Sequence, residues 1–367
     1  MKTIHRKKAL MSLTTRNNKV KMKDILLWLS VKHIQGIGDV TFKKLIATHG
    51  NIEKVFNSID NNSLKKQAVE KAKKELEKIE KNNVQILTYN DINYPENLKE
   101  IYSPPPLLYY YGNIELLSNN NIIAIVGSRN PTDYGKNVCA QITRELAELN
   151  VVTVSGMARG IDSIVHHETI KAGSSTISVL GCGINIIYPA TNRNLFRSIR
   201  ENGLILSEFP MGTKPEAGNF PKRNRIISAL AKGVVVVEAS MKSGSLITAE
   251  FALNQGKDIF AVPGNIYSYK SKGTHYLIKN GAYLVESASD IAEILFPEGK
   301  CKKSTAPCFE SKELEEVYKL INEAPATIDE LVLKTGLTVS ELSVILTNLQ
   351  ILGHITEQTG KTYVANG

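Results

Sequence analysis

Cysteine is scarce in this chain of 367 residues. Cys139, Cys182, Cys301 and Cys308 are scattered, and the closest pair has six residues between them. Zinc ribbons and redox dithiols place two residues between their cysteines, so neither a metal site nor a disulfide framework is expected. The thiols are read as free, in a reducing compartment. Long apolar runs are also missing. Val234 to Val237 with its flanks falls far short of the roughly 20 residues of a spanning helix, so no membrane segment is predicted. The amino terminus lacks the apolar stretch and small-residue cleavage site of a secretory signal, which places the chain in the cytoplasm. Acid is absent from residues 1–23, where Lys2, Arg6, Lys7, Lys8, Arg16, Lys19, Lys21 and Lys23 stand. That tail supplies nearly all of the net charge of +9, because the remainder holds 37 Lys and Arg against 36 Asp and Glu. Any anion site in the body must therefore be argued from local spacing.

What is present divides the chain. The basic tail, 1–23, is polar and aperiodic and is expected to be disordered, with Met22 a candidate alternative start. Residues 24–83 read as a helical domain of helix-hairpin-helix or SAM-like type, with a tight turn at Ile34-Gln35-Gly36-Ile37-Gly38 and a Lys- and Glu-rich helix over Leu64 to Lys81. From Val84 an extended connector with Tyr94-Pro95 and Pro104-Pro105-Pro106 leads to an expected edge strand at Tyr109-Tyr110-Tyr111. Short β-rich runs then alternate with helical patterns. They cover Ile122 to Val126, Val151 to Val154, Thr176 to Leu180, Leu204 to Leu206, Val234 to Val237, Ile259 to Val262 and Tyr283 to Val285. This alternation predicts an α/β, Rossmann-like, doubly wound parallel sheet over residues 84–298, with its ligand crevice at the carboxyl ends of the strands. A linker, 299–311, precedes three helices and a hairpin in 312–367, the pattern of a winged helix.

The common phosphate motifs fail on inspection. Gly127-Ser128-Arg129-Asn130-Pro131 lacks GxGxxG spacing, and the second strand ends in Ser155 instead of an acid for a ribose. Thr359-Gly360-Lys361-Thr362 imitates the end of a Walker loop, but Ile355 stands where its first glycine belongs, so it reads as the tip of a wing. What remains is a set of small and basic residues where strands give way to helices. They are Gly127-Ser128-Arg129, Ser155-Gly156 with Arg159, Lys222-Arg223-Asn224-Arg225 after Phe220, and Ser243-Gly244-Ser245. Glycines let backbone amides approach a phosphate, a helix start adds partial positive charge, and arginine supplies a bidentate fork. Several such elements along one crevice suit a ligand with successive phosphates. Asp162 and His166 read as an N-capping carboxylate and a helix-face histidine.

The ordered series from Ile122 to Val285 resembles the DNA-processing protein A family (DprA, also called Smf). It includes Gly127-Ser128-Arg129, Ser155 to Asp162, Gly181-Cys182-Gly183 with Tyr188-Pro189, Ser207-Glu208-Phe209-Pro210, Phe220 to Ile227, Ser243 to Glu250, and Ala261-Val262-Pro263-Gly264. The resemblance implies a non-enzymatic single-stranded DNA binder that forms a homodimer, protects incoming strands and loads the RecA recombinase during natural transformation. It implies no cofactor. Arg129, Arg159, Lys222, Arg223 and Arg225 match its basic positions, and Phe220 and Asn224 match places where a base could stack or be bonded. Asn185 stands where the family usually has Asp, and Ala229 where Gly is common.

Two other readings compete. A nucleoside-monophosphate phosphoribohydrolase would use Glu250 as its acid, although the Pro-Gly-Gly-x-Gly-Thr loop of such enzymes is missing. An adaptor would act mainly through its terminal domains. The Ile34 to Gly38 turn could hold a DNA phosphate or dock a protein. Residues 312–367 carry four Lys and eight acids, and the helix Val339 to Leu352 has no basic residue, so protein contact is expected there in place of duplex reading. Tyr109 to Tyr111 could stack bases, but a half-buried strand is the favoured use.

Overall fold

The computed structural model describes residues 23–296, 311–358 and 361–365. Met22, Cys301, Cys308, almost all of the basic tail and almost all of the expected linker lie outside the described residues. The chain divides into two compact units, residues 1–296 and 297–367.

The first unit is built on nine strands: β1 (Gln85–Thr88), β2 (Leu107–Gly112), β3 (Ile122–Val126), β4 (Val152–Ser155), β5 (Thr176–Leu180), β6 (Leu204–Ser207), β7 (Gly233–Val236), β8 (Asp258–Ala261) and β9 (Tyr283–Leu284). Their order is β1-β2-β6-β5-β4-β3-β7-β8-β9. From β6 to β9 all neighbours are parallel, while β1 and β2 run antiparallel at one end. Strands β3 to β7 are buried at every position; β3, β6 and β7 are rich in Ile, Val and Leu, while β4 and β5 also bury Thr153, Ser155, Thr176 and Ser178. The chain leaves β3 toward β4 on one side and returns to β7 on the other. This reversal opens a crevice at the carboxyl ends of the strands.

Two features depart from the sequence reading. The Tyr109 to Tyr111 strand is not the edge, because β1 pairs outside it with Ile86 opposite Tyr109. Tyr109 is fully buried, and its hydroxyl donates to Glu75 Oε1 at 2.6 Å, so it stacks on no base. The helices at residues 23–32, Asp39–His49, Ile52–Asn57 and Asn62–Lys81 pack Trp28, Phe42 and Ala72 into the same apolar cluster as Ile86, Tyr109 and Ile205. The boundary expected at residue 83 thus falls inside one compact unit.

The second unit has helices Lys312–Glu323, Ile328–Thr335 and Val339–Ile351, with strands β10 (Ala326–Thr327), β11 (Ile355–Gln358) and β12 (Thr362–Ala365). The expected hairpin is β11 with β12, and β10 adds a third strand on the other side of β12. Lys361 lies in the connection between β11 and β12, and a strand follows it where a Walker loop would lead into a helix. Glu341 is spent on a capping box with Thr338, so its presence in the third helix reflects helix initiation.

Candidate nucleic-acid interface

The crevice consists of two adjoining cavities of about 710 and 460 Å³ that share Arg129, Asn130, Ala158, Tyr188, Phe220 and Arg223. Their floor is built from loops after β3, β4 and β5, and their wall from the starts of the helices Asn219–Leu230 and Gly244–Asn254. The loop after β3 is tied down by close approach. Ile161 N donates to Ser128 O at 3.1 Å, and a Cβ on Gly160, at φ +78°, would lie 2.3 Å from Ser128 O. Glycine is required there on both counts. The bond holds Arg129 at the rim, exposed, with its guanidinium 5.1 Å from the ring centroid of Phe220. Phe220 in turn lies 5.8 Å from Tyr188, tilted by 30°. A Cβ on Gly181 would meet the Phe220 ring at 2.6 Å and one on Gly183 would meet Pro210 O at 2.6 Å, so the first glycine admits the aromatic ring and the second the backbone of the neighbouring loop. Arg159 is exposed and lines the smaller cavity, while Gly127, Ser243, Gly244 and Ser245 line the larger one. Ser243 caps its helix through the amide of Ser245, and the two hydroxyls are 2.7 Å apart.

Several residues expected to meet phosphate do something else. Ser155 is buried, and its hydroxyl donates to Ile125 O at 2.7 Å. The amides of Gly156 and Ala158 both donate to Asp162 Oδ2, at 3.2 and 3.3 Å, so a carboxylate of the chain already occupies that nest. Burial raises the Asp162 carboxyl, and the nearby charge of Arg223 opposes the rise. Arg223 is only 3% exposed. It donates to Gly156 O at 2.6 Å, to Val179 O, and through Nε to Asn224 Oδ1 at 3.0 Å. Burial pushes its guanidinium down to about 10. Asn224 spends its remaining amide on Gly244 O. Arg225 points away from the crevice and pairs with Asp39 at 3.0 Å and with Glu208. Arg223, Asn224 and Arg225 are therefore struts of the wall. Lys222 is exposed beside the crevice without lining it, and it is the member of that run left for a ligand.

Asp39 follows the Ile34 to Gly38 turn directly, so its ion pair with Arg225 ties that turn to the sheet unit. His166 is buried, with Nδ1 2.7 Å from Thr176 Oγ1, and burial pushes it down to about 3. It lies on the face of the helix Ile161–Lys171 that meets the sheet. Glu250 is exposed on its helix and lines neither cavity, which removes the acid that a phosphoribohydrolase would need there. Two cations escaped the sequence reading: Lys242 and Lys270 both line the larger cavity, and Lys270 Nζ donates to Asn130 O at 2.6 Å. Their signal was weak, since Lys242 is one residue before the Ser-Gly-Ser element and Lys270 lies in the short 3-10 turn Tyr269–Ser271 after β8. Among the described residues no cluster of ligating side chains suited to a metal occurs.

Residues 85–296 match the family described as DNA recombination-mediator protein A, and residues 302–361 match the DprA winged helix domain. Protein Smf of Synechocystis is 33% identical over 388 residues, which cover 92% of this chain and 97% of that protein. The chain belongs to the DprA/Smf family. Its role therefore lies in DNA processing. DprA of Bacillus subtilis is 48% identical over 202 residues, 55% of this chain and 68% of its own. The X-ray structure of Streptococcus pneumoniae DprA superposes with a TM-score of 0.66 at 34% identity, covering 72% of this chain and 96% of that one. A structure concerned with the single-stranded DNA binding mode of Helicobacter pylori DprA gives 0.53 at 34% identity, covering 58% and 96%. Asn185, a departure from the usual DprA aspartate, accepts from Gly212 N at 2.8 Å, a bond that either residue can accept. Ala229 is fully buried in its helix.

Proposed function

We propose that this chain is a non-enzymatic, sequence-tolerant single-stranded DNA-binding protein of the cytoplasm that protects incoming strands and loads a RecA recombinase during natural transformation. The observation that carries the DNA-binding part is the rim of the crevice. Arg129 lies against Phe220, with Tyr188 on the same platform and Arg159, Lys222, Lys242 and Lys270 around it. Cations follow a backbone without reading it, and aromatic faces accept any base. Arg223, through Gly156 O and Val179 O, and Asp162, through the amides of Gly156 and Ala158, brace the loops beside this platform. Recombinase loading rests on the family resemblance. So does the homodimer, for which the open edge of β9 is the favoured surface: Tyr283 and Leu284 are 44% and 50% exposed there. Sedimentation of the full chain would give a dimer, reduced to monomer by Leu284→Glu.

The deciding experiment is fluorescence anisotropy of a labelled oligothymidine, single-stranded and then duplexed, across a salt series. The chain starting at Met22 serves as a control for the basic tail. Wild type is expected to prefer the single strand. Arg129→Ala should lower the salt slope by about 0.7, the contribution of one neutralised phosphate on a single strand. Binding unaltered by that substitution would remove DNA from the crevice.

A further inference from the structure

Outside the crevice, the helix Arg193–Asn202 carries three exposed arginines, Arg193, Arg197 and Arg200. At i, i+4 and i+7 they lie within an arc of about 60°, and they succeed one another along the axis by about 6 and about 4.5 Å. Phe196 and Ile199 bury the adjoining side of the helix, so the arginine row faces outward. Among the described residues, the arginine ion pairs are those of Arg144 and Arg225, and this row has none. A face kept only for solubility mixes its signs. The helix Asn62–Lys81 does so, setting Glu70, Glu77 and Glu80 among its lysines. The row on Arg193–Asn202 has a single acid beside it, Glu201, and it uses arginine, whose planar fork matches phosphate oxygens.

Its position adds direction. Asn192, just before the helix, donates through Nδ2 to Met157 O at 3.0 Å and to Ser163 Oγ at 2.8 Å. These bonds fasten the start of the row to the loop that carries Arg159 at the mouth of the smaller cavity. At the other end, the Arg200 guanidinium lies 4.2 Å from the ring centroid of Tyr111, which restrains it before any ligand arrives. The row therefore starts beside the loop that carries Arg159 and ends against Tyr111 of β2.

We propose that Arg193, Arg197 and Arg200 form a track for the stretch of single strand that leaves the crevice past Arg159, each guanidinium taking a phosphodiester and none reading a base. This rests on the single-stranded DNA reading and extends it by lengthening the footprint in one direction. The track should be silent for a strand too short to reach it.

The test uses the full chain, wild type and Arg193→Ala/Arg197→Ala, with labelled oligothymidines of about 6 and about 20 nucleotides across a salt series. Arg200 is left in place because it packs on Tyr111. For the longer strand the double variant should lose about 1.4 from the salt slope, two phosphates at about 0.7 each, while the shorter strand binds both proteins alike. An unchanged slope for the longer strand overturns the track. Equal losses for both strands overturn it also, since the arginines would then act within the crevice. If wild type binds neither strand, the underlying reading fails before the track is reached.

Discussion

Arg223 and Arg129 both belong to basic elements of one crevice, yet the structure gives them opposite work, and Arg223→Ala separates the two. Arg223 supplies bonds to Gly156 O, Val179 O and Asn224 Oδ1 from a position that is 3% exposed. Its removal strands those acceptors and withdraws the positive charge that acts on buried Asp162. Leaving those buried acceptors unpaired costs about 1–3 kcal/mol each, so about 3–5 kcal/mol is expected in all. For a unit of this size each kcal/mol shifts the melting temperature by about 2–4 °C, so a drop of roughly 6–20 °C is expected. The assay is thermal or urea unfolding followed by the fluorescence of Trp28, the chain's single tryptophan, which is buried in the cluster that joins the helices to the sheet. In parallel, DNA binding is measured well below the melting temperature across a salt series. The salt slope should match wild type, because no phosphate contact is lost. Adding Asp162→Asn to Arg223→Ala should recover part of the stability, as coupled neighbours do in a double-mutant cycle. A variant as stable as wild type whose salt slope falls by about 0.7 would refute this reasoning and send Arg223 to the DNA.

Phe220→Ala should weaken single-strand binding by the equivalent of one stacked base, about 1–3 kcal/mol, with little change in salt slope, and anisotropy at two salt concentrations reads both quantities. His166 predicts a pH dependence of stability. Its folded pKa of about 3 lies below the unfolded value of 6.5, so the unfolded chain binds the extra proton between those limits and stability falls as the pH drops through 6.5. Between pH 7 and pH 5 wild type should lose about 2 kcal/mol more than His166→Gln in urea unfolding. An equal loss in both proteins would place that titration elsewhere. Glu250→Gln should leave DNA binding unaltered, and wild type should release no free base from nucleoside monophosphates. Base release that disappears in the variant would restore the hydrolase.

The sheet was legible because its interior strands are short β-rich runs of Ile, Val, Leu and Thr, buried on both faces and each ending near a glycine or serine where a loop must turn. β1 was hidden. Gln85-Ile86-Leu87-Thr88 is a four-residue edge strand with an exposed first position, too short to show a period. The two inner arginines were misread for a reason that composition cannot reveal. The helix Asn219–Leu230 lies between the sheet and further helices, so every residue from Arg223 to Leu230 is buried. Charges in such a helix must find partners inside the protein, as Arg225 does with Asp39 and Glu208, residues 186 and 17 positions away. The available hint was the run Ile226-Ile227-Ser228-Ala229-Leu230. With no polar face following the arginines, a solvent-facing stripe had no room to form. Lys222 precedes that buried run and stays outside, and the division between a residue that can meet a ligand and one that braces the wall falls between two consecutive positions. Basic residues near a helix start therefore become candidates for DNA contact only after the burial of the rest of that helix is known. By that criterion Arg129, Arg159, Lys222, Lys242 and Lys270 qualify, and Arg223 and Arg225 do not.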